Sequence, residues 1–169
     1  MLFRSEVHTG SGDDTITAGA GSSVSAGDGS NVVNVTAGAL DIVTGSGADV
    51  INLGAFYSSV SSVTAGAGVD TLAFNSATPI SLAALVNISG MTGIDLLQLG
   101  GNTSIVLGSS GAGVTGLSDA NHLTINGDNT NHVLMDSNWS YYAAISGYVE
   151  YHNLDGAVVL IASAMVPSA

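Results

Sequence analysis

The sequence predicts an all-β protein, a parallel β-solenoid closed by a C-terminal β cap. Three observations support this prediction. A Gly-rich line of about nine residues recurs through the N-terminal half. Apolar and polar residues fall into columns when these lines are aligned. Finally, Glu, Lys, Gln and Arg are scarce while Val, Ile and Leu are abundant, which disfavours both helical architectures and disorder.

The repeated lines each combine a Gly-rich turn with a short run of β-branched or apolar residues. They are TGSGDDTIT (9–17), AGAGSSVS (18–25), AGDGSNVVN (26–34), TAGALDIV (36–43), TGSGADVIN (44–52) and AGAGVDTLAF (65–74). Alternate lines have their first Gly at Gly10, Gly27, Gly45 and Gly66, which are 17, 18 and 21 residues apart. This spacing predicts a coil of about 18 residues, built from two halves that each contain one turn and one strand.

The alignment produces one apolar and one polar column, because successive coils stack at about 4.8 Å. The apolar column, expected to point into the core, consists of Ile16, Val33, Ile51 and Leu72. The polar column, expected along one edge, consists of Asp14, Asn31, Asp49 and Asp70. The opposite edge is degenerate, with Ser23 and then Asp41 one residue early.

The Gly–Asp rhythm stops after Phe74, so we divide the chain into two zones, 1–74 and 75–169. The strands predicted for the second zone are Ile94–Leu99, Ser104–Leu107, Leu123–Ile125 and His132–Met135. Near the end, Trp139 and four of the five Tyr precede an apolar stretch, which suits a cap over the end of the solenoid. Whether this zone continues the solenoid or forms a separate sandwich stays open at this point.

Composition argues against several functional classes. The chain has a net charge of −12 and a single Lys or Arg residue, so it offers no electrostatic surface for nucleic acid or anionic membranes. Its longest mostly apolar run, 157–166, is shorter than the about 20 residues of a transmembrane helix, so we expect no membrane insertion. There is no Cys for disulfides or thiolate metal sites. Motifs for a nucleophile elbow, phosphate loop or dinucleotide site are absent, and we expect no enzyme.

Lines 9–17, 44–52 and 65–73 resemble the calcium-binding nonapeptide G-G-x-G-x-D-x-U-x of RTX proteins, with Thr or Ala in place of the first Gly. The later order of Gly93-Ile94-Asp95-Leu96, the segment 121–128, Trp139, Gly147-Tyr148 and Tyr151 resembles the C-terminal region of large RTX adhesins. The resemblance implies an RTX-type β-roll in 1–74. In 75–169 it implies a continued solenoid and cap that carry a secretion signal.

For the metal, the resemblance implies Ca²⁺ held between Gly-rich turns on one edge, a chemistry that suits a hard cation seeking 6–8 oxygens. The residues it assigns to this role are Gly10, Gly12, Asp14, Gly27, Gly29, Asn31, Gly45, Gly47, Asp49, Gly66, Gly68 and Asp70, together with Asp41. Asn31 supplies a neutral oxygen, so a site that shares it should be weaker. The competing interpretation is a metal-free solenoid with solvated Asx turns. Zinc at His122 and His132, or a hydrolytic carboxylate pair, has no supporting motif.

The resemblance also implies export by type I secretion machinery, with folding outside a bacterial cell when calcium binds. We see no signal peptide in 1–10, which fits such a route. The function we expect is a secreted calcium-binding structural protein that self-assembles into an extracellular filament or surface layer. The alternative is a calcium-dependent folding and export module of a larger RTX adhesin or hydrolase. A carbohydrate- or ice-binding module is the third and weakest hypothesis.

Overall fold

The predicted parallel β-solenoid is confirmed. The computed structural model describes residues 5–38, 40–85, 89–118 and 120–165. The chain is about 45% strand and 10% helix and makes about 5 solenoid turns. Arg4 and residues 166–169, the end of the predicted secretion signal, lie outside the described residues.

One wall of the solenoid is a nine-stranded sheet. Its strands, numbered in chain order, are β2 (Thr15–Ala18), β4 (Val32–Val35), β6 (Val50–Gly54), β8 (Thr71–Asn75), β11 (Leu96–Gly100), β13 (His122–Asn126), β15 (Trp139–Ile145), β16 (Tyr148–Asn153) and β17 (Val158–Ala162). They lie in the order β15-β16-β17-β13-β11-β8-β6-β4-β2. Every pair from β2 to β17 is parallel, so the stack runs without interruption from the first zone into the second.

Two shorter parallel sheets form the remaining walls. The first contains β1 (Glu6–His8), β3 (Ser23–Ser25), β5 (Asp41–Val43), β7 (Ser62–Thr64) and β10 (Ser89–Thr92). The second contains β9 (Ile80–Ser81), β12 (Ser104–Val106) and β14 (His132–Leu134). In the N-terminal half, strands of the five-stranded and nine-stranded sheets alternate along the chain. Each coil there therefore consists of two strands and two turns, as the repeat predicts.

The later coils are longer because each adds a strand of the three-stranded sheet, and two of them also contain a short α-helix that the sequence did not predict. These helices are α1 (Leu82–Leu85) and α2 (Ala112–Leu117), with 3₁₀ turns at Tyr57–Ser59 and Ser163–Met165. The two α-helices stack closely, since a Cβ placed on Gly113 would lie 2.7 Å from the Cβ of Leu82. Helix α2 also contacts β10. None of the helices in the described ranges has the length and apolar character needed to cross a membrane.

The predicted apolar column forms the core. Ile16 is 5% exposed, and the column members in the next three coils, at 33, 51 and 72, are fully buried. The column continues through Leu97, Ile125 and Ile161 in the later coils, in register with those below. Burying each such side chain contributes about 1.5–3 kcal/mol. A single coil has no other way to cover its apolar face, so stacking is what stabilises the fold.

The C-terminal end is closed by the predicted β cap. The chain turns back on itself there, since β15 pairs antiparallel with β16 and β16 antiparallel with β17. Trp139 begins β15 and is buried, and its indole Nε1–H donates to the Gly108 carbonyl at 2.8 Å. The strands predicted in the second zone correspond to β11, β12, β13 and β14.

Candidate metal centre

Four Gly–x–Gly turns stack along the edge between the five-stranded and nine-stranded sheets. All eight of their glycines have positive φ: Gly10, Gly12, Gly27, Gly29, Gly45, Gly47, Gly66 and Gly68. Only glycine adopts such angles without strain. The stacking also leaves no room for a side chain, because a Cβ on Gly47 would lie 2.3 Å from the carbonyl oxygen of Gly29 in the coil below. The glycine carbonyls of one coil therefore lie directly against the backbone of the next.

The residue before each turn explains why the repeat departs from the nonapeptide pattern. Thr9, Ala26, Thr44 and Ala65 occupy this position, and none of them has a positive φ, so glycine is not required there. The threonines use their hydroxyl groups to join coils. Thr44 is fully buried and donates to the Ala65 carbonyl at 2.6 Å, and Thr9 donates to the Ala26 carbonyl at 2.8 Å.

The side chains that follow the turns form a continuous hydrogen-bonded column, which we call the Asx ladder. Its members are Asp14, Asn31, Asp49, Asp70 and Asp95. In each step, a side-chain oxygen accepts a hydrogen bond from the backbone N–H of the ladder member in the preceding coil. The four bonds measure 3.1, 2.8, 2.8 and 3.0 Å from the N-terminal end. One oxygen of each side chain after the first is thus used to fix the register of the coils.

The second polar atom of Asn31 is also satisfied, and its partners define the interior of the turn. The Asn31 Nδ2 group donates to the carbonyl oxygens of Gly27 at 3.1 Å and Gly29 at 3.0 Å. Both acceptors belong to the turn that precedes Asn31. Both glycines of the Gly–x–Gly turn therefore direct their carbonyls toward the end of the ladder side chain.

Asp49 occupies the same place in the next coil but has an oxygen where Asn31 has its amide nitrogen. The equivalent carbonyls belong to Gly45 and Gly47, whose φ angles of 104° and 127° match the turn below in sign and order. Asp49 is fully buried, and its Oδ2 atom has no hydrogen-bond partner among the described residues. The Oδ2 atom of Asp14 shares this condition in the first coil. An ionised carboxylate oxygen buried without a hydrogen-bond donor is costly unless a positive group lies beside it.

The electrostatics of the ladder reinforce this requirement. Asp49 and Asp70 are both fully buried and lie in consecutive coils, about 4.8 Å apart along the stack. At an effective dielectric constant of about 20, two charges at this spacing repel by about 3 kcal/mol. The whole chain has one Lys or Arg residue to set against 13 acidic ones. The chain therefore has too few Lys and Arg side chains to neutralise the carboxylates of the ladder.

The structure brings most of the predicted site residues together. The eight turn glycines and the four predicted column members lie on one edge, as expected from their spacing. Asp41 does not join them. It begins β5, at the opposite end of that strand from the Gly45 turn, and accepts a hydrogen bond from the Ser62 hydroxyl at 2.8 Å.

Sequence reasoning missed one member of the ladder, Asp95. Its Oδ2 accepts from the Asp70 backbone N–H at 3.0 Å and extends the column by one coil. The signal was the segment Gly93-Ile94-Asp95, a shortened turn in which only Gly93 has a positive φ. Its 25-residue separation from Asp70 lies outside the spacing of the earlier coils.

The possible ligands here are mostly backbone carbonyls. Within the described residues, no group of three or more His, Cys, Asp or Glu side chains is placed to hold a metal ion. A cation at this edge would be held by glycine carbonyls and one carboxylate per coil. His122 and His132, which begin strands of different sheets, lie outside this arrangement.

Comparisons with protein-family models, with curated proteins and with solved structures found no match to this chain. The likeness to RTX proteins therefore depends on the quoted residues alone.

Proposed function

We propose that this protein is a secreted, calcium-binding β-solenoid with a structural role outside the cell. The observation that carries the proposal is the buried Oδ2 atom of Asp49, which has no hydrogen-bond donor in the described part of the chain. In the preceding coil the Asn31 amide donates to two glycine carbonyls, so we expect the Gly45 and Gly47 carbonyls at the equivalent position near Asp49. A cation between the carboxylate and the carbonyls would give the Asp49 Oδ2 atom its missing partner, and it would use the second lone pair of the Gly45 carbonyl, which already accepts from the Ala67 backbone N–H at 3.0 Å.

The donor set favours calcium over other biological cations. Carbonyl and carboxylate oxygens suit hard cations, whereas zinc and copper prefer imidazole or thiolate. Mg²⁺ demands a nearly ideal octahedron and keeps several waters, so it suits a fixed turn poorly. The residues that would hold the ion in the best-defined coil are Gly45, Gly47 and Asp49, with further oxygens from the adjacent coils.

The low charge of each site supports an extracellular location. A site with one carboxylate per coil resembles the weak calcium sites of extracellular modules, whose dissociation constants are about 10⁻⁴–10⁻³ M. Calcium would then screen the ladder and complete the fold only after export. Type I secretion machinery fits this order of events, because it exports the chain unfolded.

Self-assembly into a filament or surface layer is supported by the two ends of the nine-stranded sheet. Within the described residues, nothing pairs with the outer edges of β2 and β15. Strand β15 is antiparallel to β16, which is antiparallel to β17, so β15 runs in the same direction as β2. A second copy can therefore add its β2 to β15 and continue the sheet, a contact that repeats without closing. Edge strands are often protected by Lys, and this chain has almost no basic residues.

Exposed apolar side chains concentrate at the same end. Leu134 on β14 is 48% exposed, and on β15 Tyr141, Tyr142 and Ile145 are 63%, 65% and 45% exposed. Contact with a second copy would cover them. The alternative function, a folding and export module of a larger adhesin or hydrolase, needs calcium binding but no contact between copies.

The full chain is first dialysed against a chelator and then titrated with calcium. Calorimetry measures the binding, thermal melting measures the stability, and sedimentation velocity measures the size of the particles. With a dissociation constant of about 10⁻⁴ M, about 5 mM calcium stabilises the fold by about 2.3 kcal/mol per site. For a chain of this size, that raises Tm by about 5–9 °C per site. Magnesium at the same concentration should give a smaller shift. Equal Tm in calcium and in chelator would contradict the proposal.

Sedimentation separates the two functional alternatives. Large particles in calcium, lost in Ile145→Lys, support self-assembly through β15. Leu154→Lys is the matched control, because Leu154 is 84% exposed but lies in the turn between β16 and β17. A calcium-bound monomer at all concentrations would contradict self-assembly and favour the export module.

A further inference from the structure

Asn31 is the one uncharged member of the Asx ladder, and its side chain both accepts and donates hydrogen bonds. Its Oδ1 accepts from the Asp14 backbone N–H at 3.1 Å, as a ladder aspartate would. Its Nδ2 donates to the carbonyls of Gly27 and Gly29 at 3.1 and 3.0 Å. Asn31 is fully buried, so these bonds are made away from water.

We propose that Asn31 is a built-in replacement for a cation. Its amide N–H groups hold the carbonyls of Gly27 and Gly29, as a bound cation would hold the carbonyls of Gly45 and Gly47 in the coil of Asp49. This inference rests on the proposed cation binding and goes beyond it, because it assigns which coils bind an ion. The turn at 27–31 takes no ion, and it stays closed when calcium is removed.

The placement of the amide also divides the acidic column. Without a charge at Asn31, Asp14 is separated from Asp49 by two coil spacings, about 9.6 Å. This distance roughly doubles that between neighbouring carboxylates, so the repulsion falls by about half. The coil of Asn31, which needs no ion, thus separates the first carboxylate from the buried pair of Asp49 and Asp70.

An alternative explanation for Asn31 is that it is merely a weaker calcium ligand through its neutral oxygen. The hydrogen bonds argue against this. The Oδ1 atom is committed to the Asp14 N–H, and the atom that faces the carbonyls is the nitrogen, which is a donor. Donors do not ligate cations, so the side chain as placed excludes an ion from this turn.

The test is Asn31→Asp in the full chain, with Asn129→Asp as the matched control. Asn129 lies in an exposed turn, so its variant adds the same charge away from the ladder. The number of calcium ions bound per chain is measured by calorimetry or equilibrium dialysis. We expect Asn31→Asp to bind one more ion per chain than the wild type and the control variant. In chelator its Tm should fall below that of both, and calcium should restore it.

The reverse variant keeps the inference testable if Asn31→Asp does not fold. Asp49→Asn should bind one ion fewer than the wild type and lose part of the calcium-dependent rise in Tm. If the wild type binds calcium but the ion count is unchanged in both variants, the inference is overturned while the proposed function stands. If the wild type binds no calcium, the proposed function fails and the inference fails with it.

Discussion

Replacing Asp49 with Asn should make the protein more stable in chelator and less responsive to calcium. The new amide occupies the position that the Asn31 amide occupies one coil earlier, where it donates to two carbonyls at 3.1 and 3.0 Å. Each new hydrogen bond contributes about 0.5–1.5 kcal/mol. Removal of the charge also ends the repulsion of about 3 kcal/mol with Asp70 in the neighbouring coil.

Together these terms stabilise the calcium-free variant by about 4–6 kcal/mol. For a chain of 169 residues this corresponds to a rise in Tm of about 8–24 °C. A gain of this size from removing a buried acidic group is unusual, since most substitutions destabilise by about 0.5–3 kcal/mol. An increase in Tm in chelator therefore supports an uncompensated charge at Asp49, and a decrease argues against it.

The assay is thermal unfolding by circular dichroism in chelator and in calcium, with Asp28→Asn as the control. Asp28 lies in an adjacent turn but is exposed, and its Oδ1 accepts from the Ser46 hydroxyl at 2.6 Å, a bond that Asn can retain. Surface changes of this kind shift stability by within about 0.5 kcal/mol. The reasoning is refuted if Asp49→Asn melts below the wild type in chelator, or if both proteins gain equally from calcium.

Three further predictions concern the turns and the core. Gly47→Ala should abolish folding or lower stability by more than about 3 kcal/mol, whereas Gly12→Ala should cost only the about 1–2 kcal/mol of left-handed strain. The two glycines have φ angles of 127° and 122°, but a Cβ meets a carbonyl at 2.3 Å in the first case and nothing within 4 Å in the second. Leu97→Ala, in the buried column, should lower the free energy of unfolding in urea by about 2–5 kcal/mol. The Thr130 hydroxyl and then its amide hold the pKa of Asp128 below its ordinary 3.8, so the stabilisation is present above that pH and is lost as pH falls through the lower folded value. An NMR titration should show this, and Thr130→Ala should raise the midpoint.

The repeat allowed the N-terminal coils to be predicted because each signal had one physical cause. Positive φ and close stacking require the glycines, and burial requires the apolar column from Ile16 to Leu72. The separations of 17, 18 and 21 residues between ladder members then follow from coil length. Those signals fixed the edge on which the candidate site lies.

The rest depended on information that the sequence pattern does not carry. Helices α1 and α2 have four and six residues, so each offers a single apolar pair at helical spacing, Leu82 with Leu85 and Val114 with Leu117, which is too short a pattern to predict a helix. They form because each packs on the other and on the coils beneath. The role of Asn31 could not be read from a column of carboxyl and amide residues, because it depends on which side-chain atom faces the carbonyls. Asp95 was not predicted as a ladder member, because its coil is longer and its turn has one glycine with positive φ instead of two.

A crystal structure grown in calcium, with anomalous difference maps, tests the central claim most directly. We predict a calcium peak about 2.3–2.6 Å from the Oδ2 atom of Asp49, with glycine carbonyls completing its shell. The turn at Asn31 should show no peak, because its amide already holds the carbonyls of Gly27 and Gly29. A map with no calcium at Asp49, in crystals of a chain that melts identically with and without calcium, would contradict the account and leave the Asx ladder as turn structure alone.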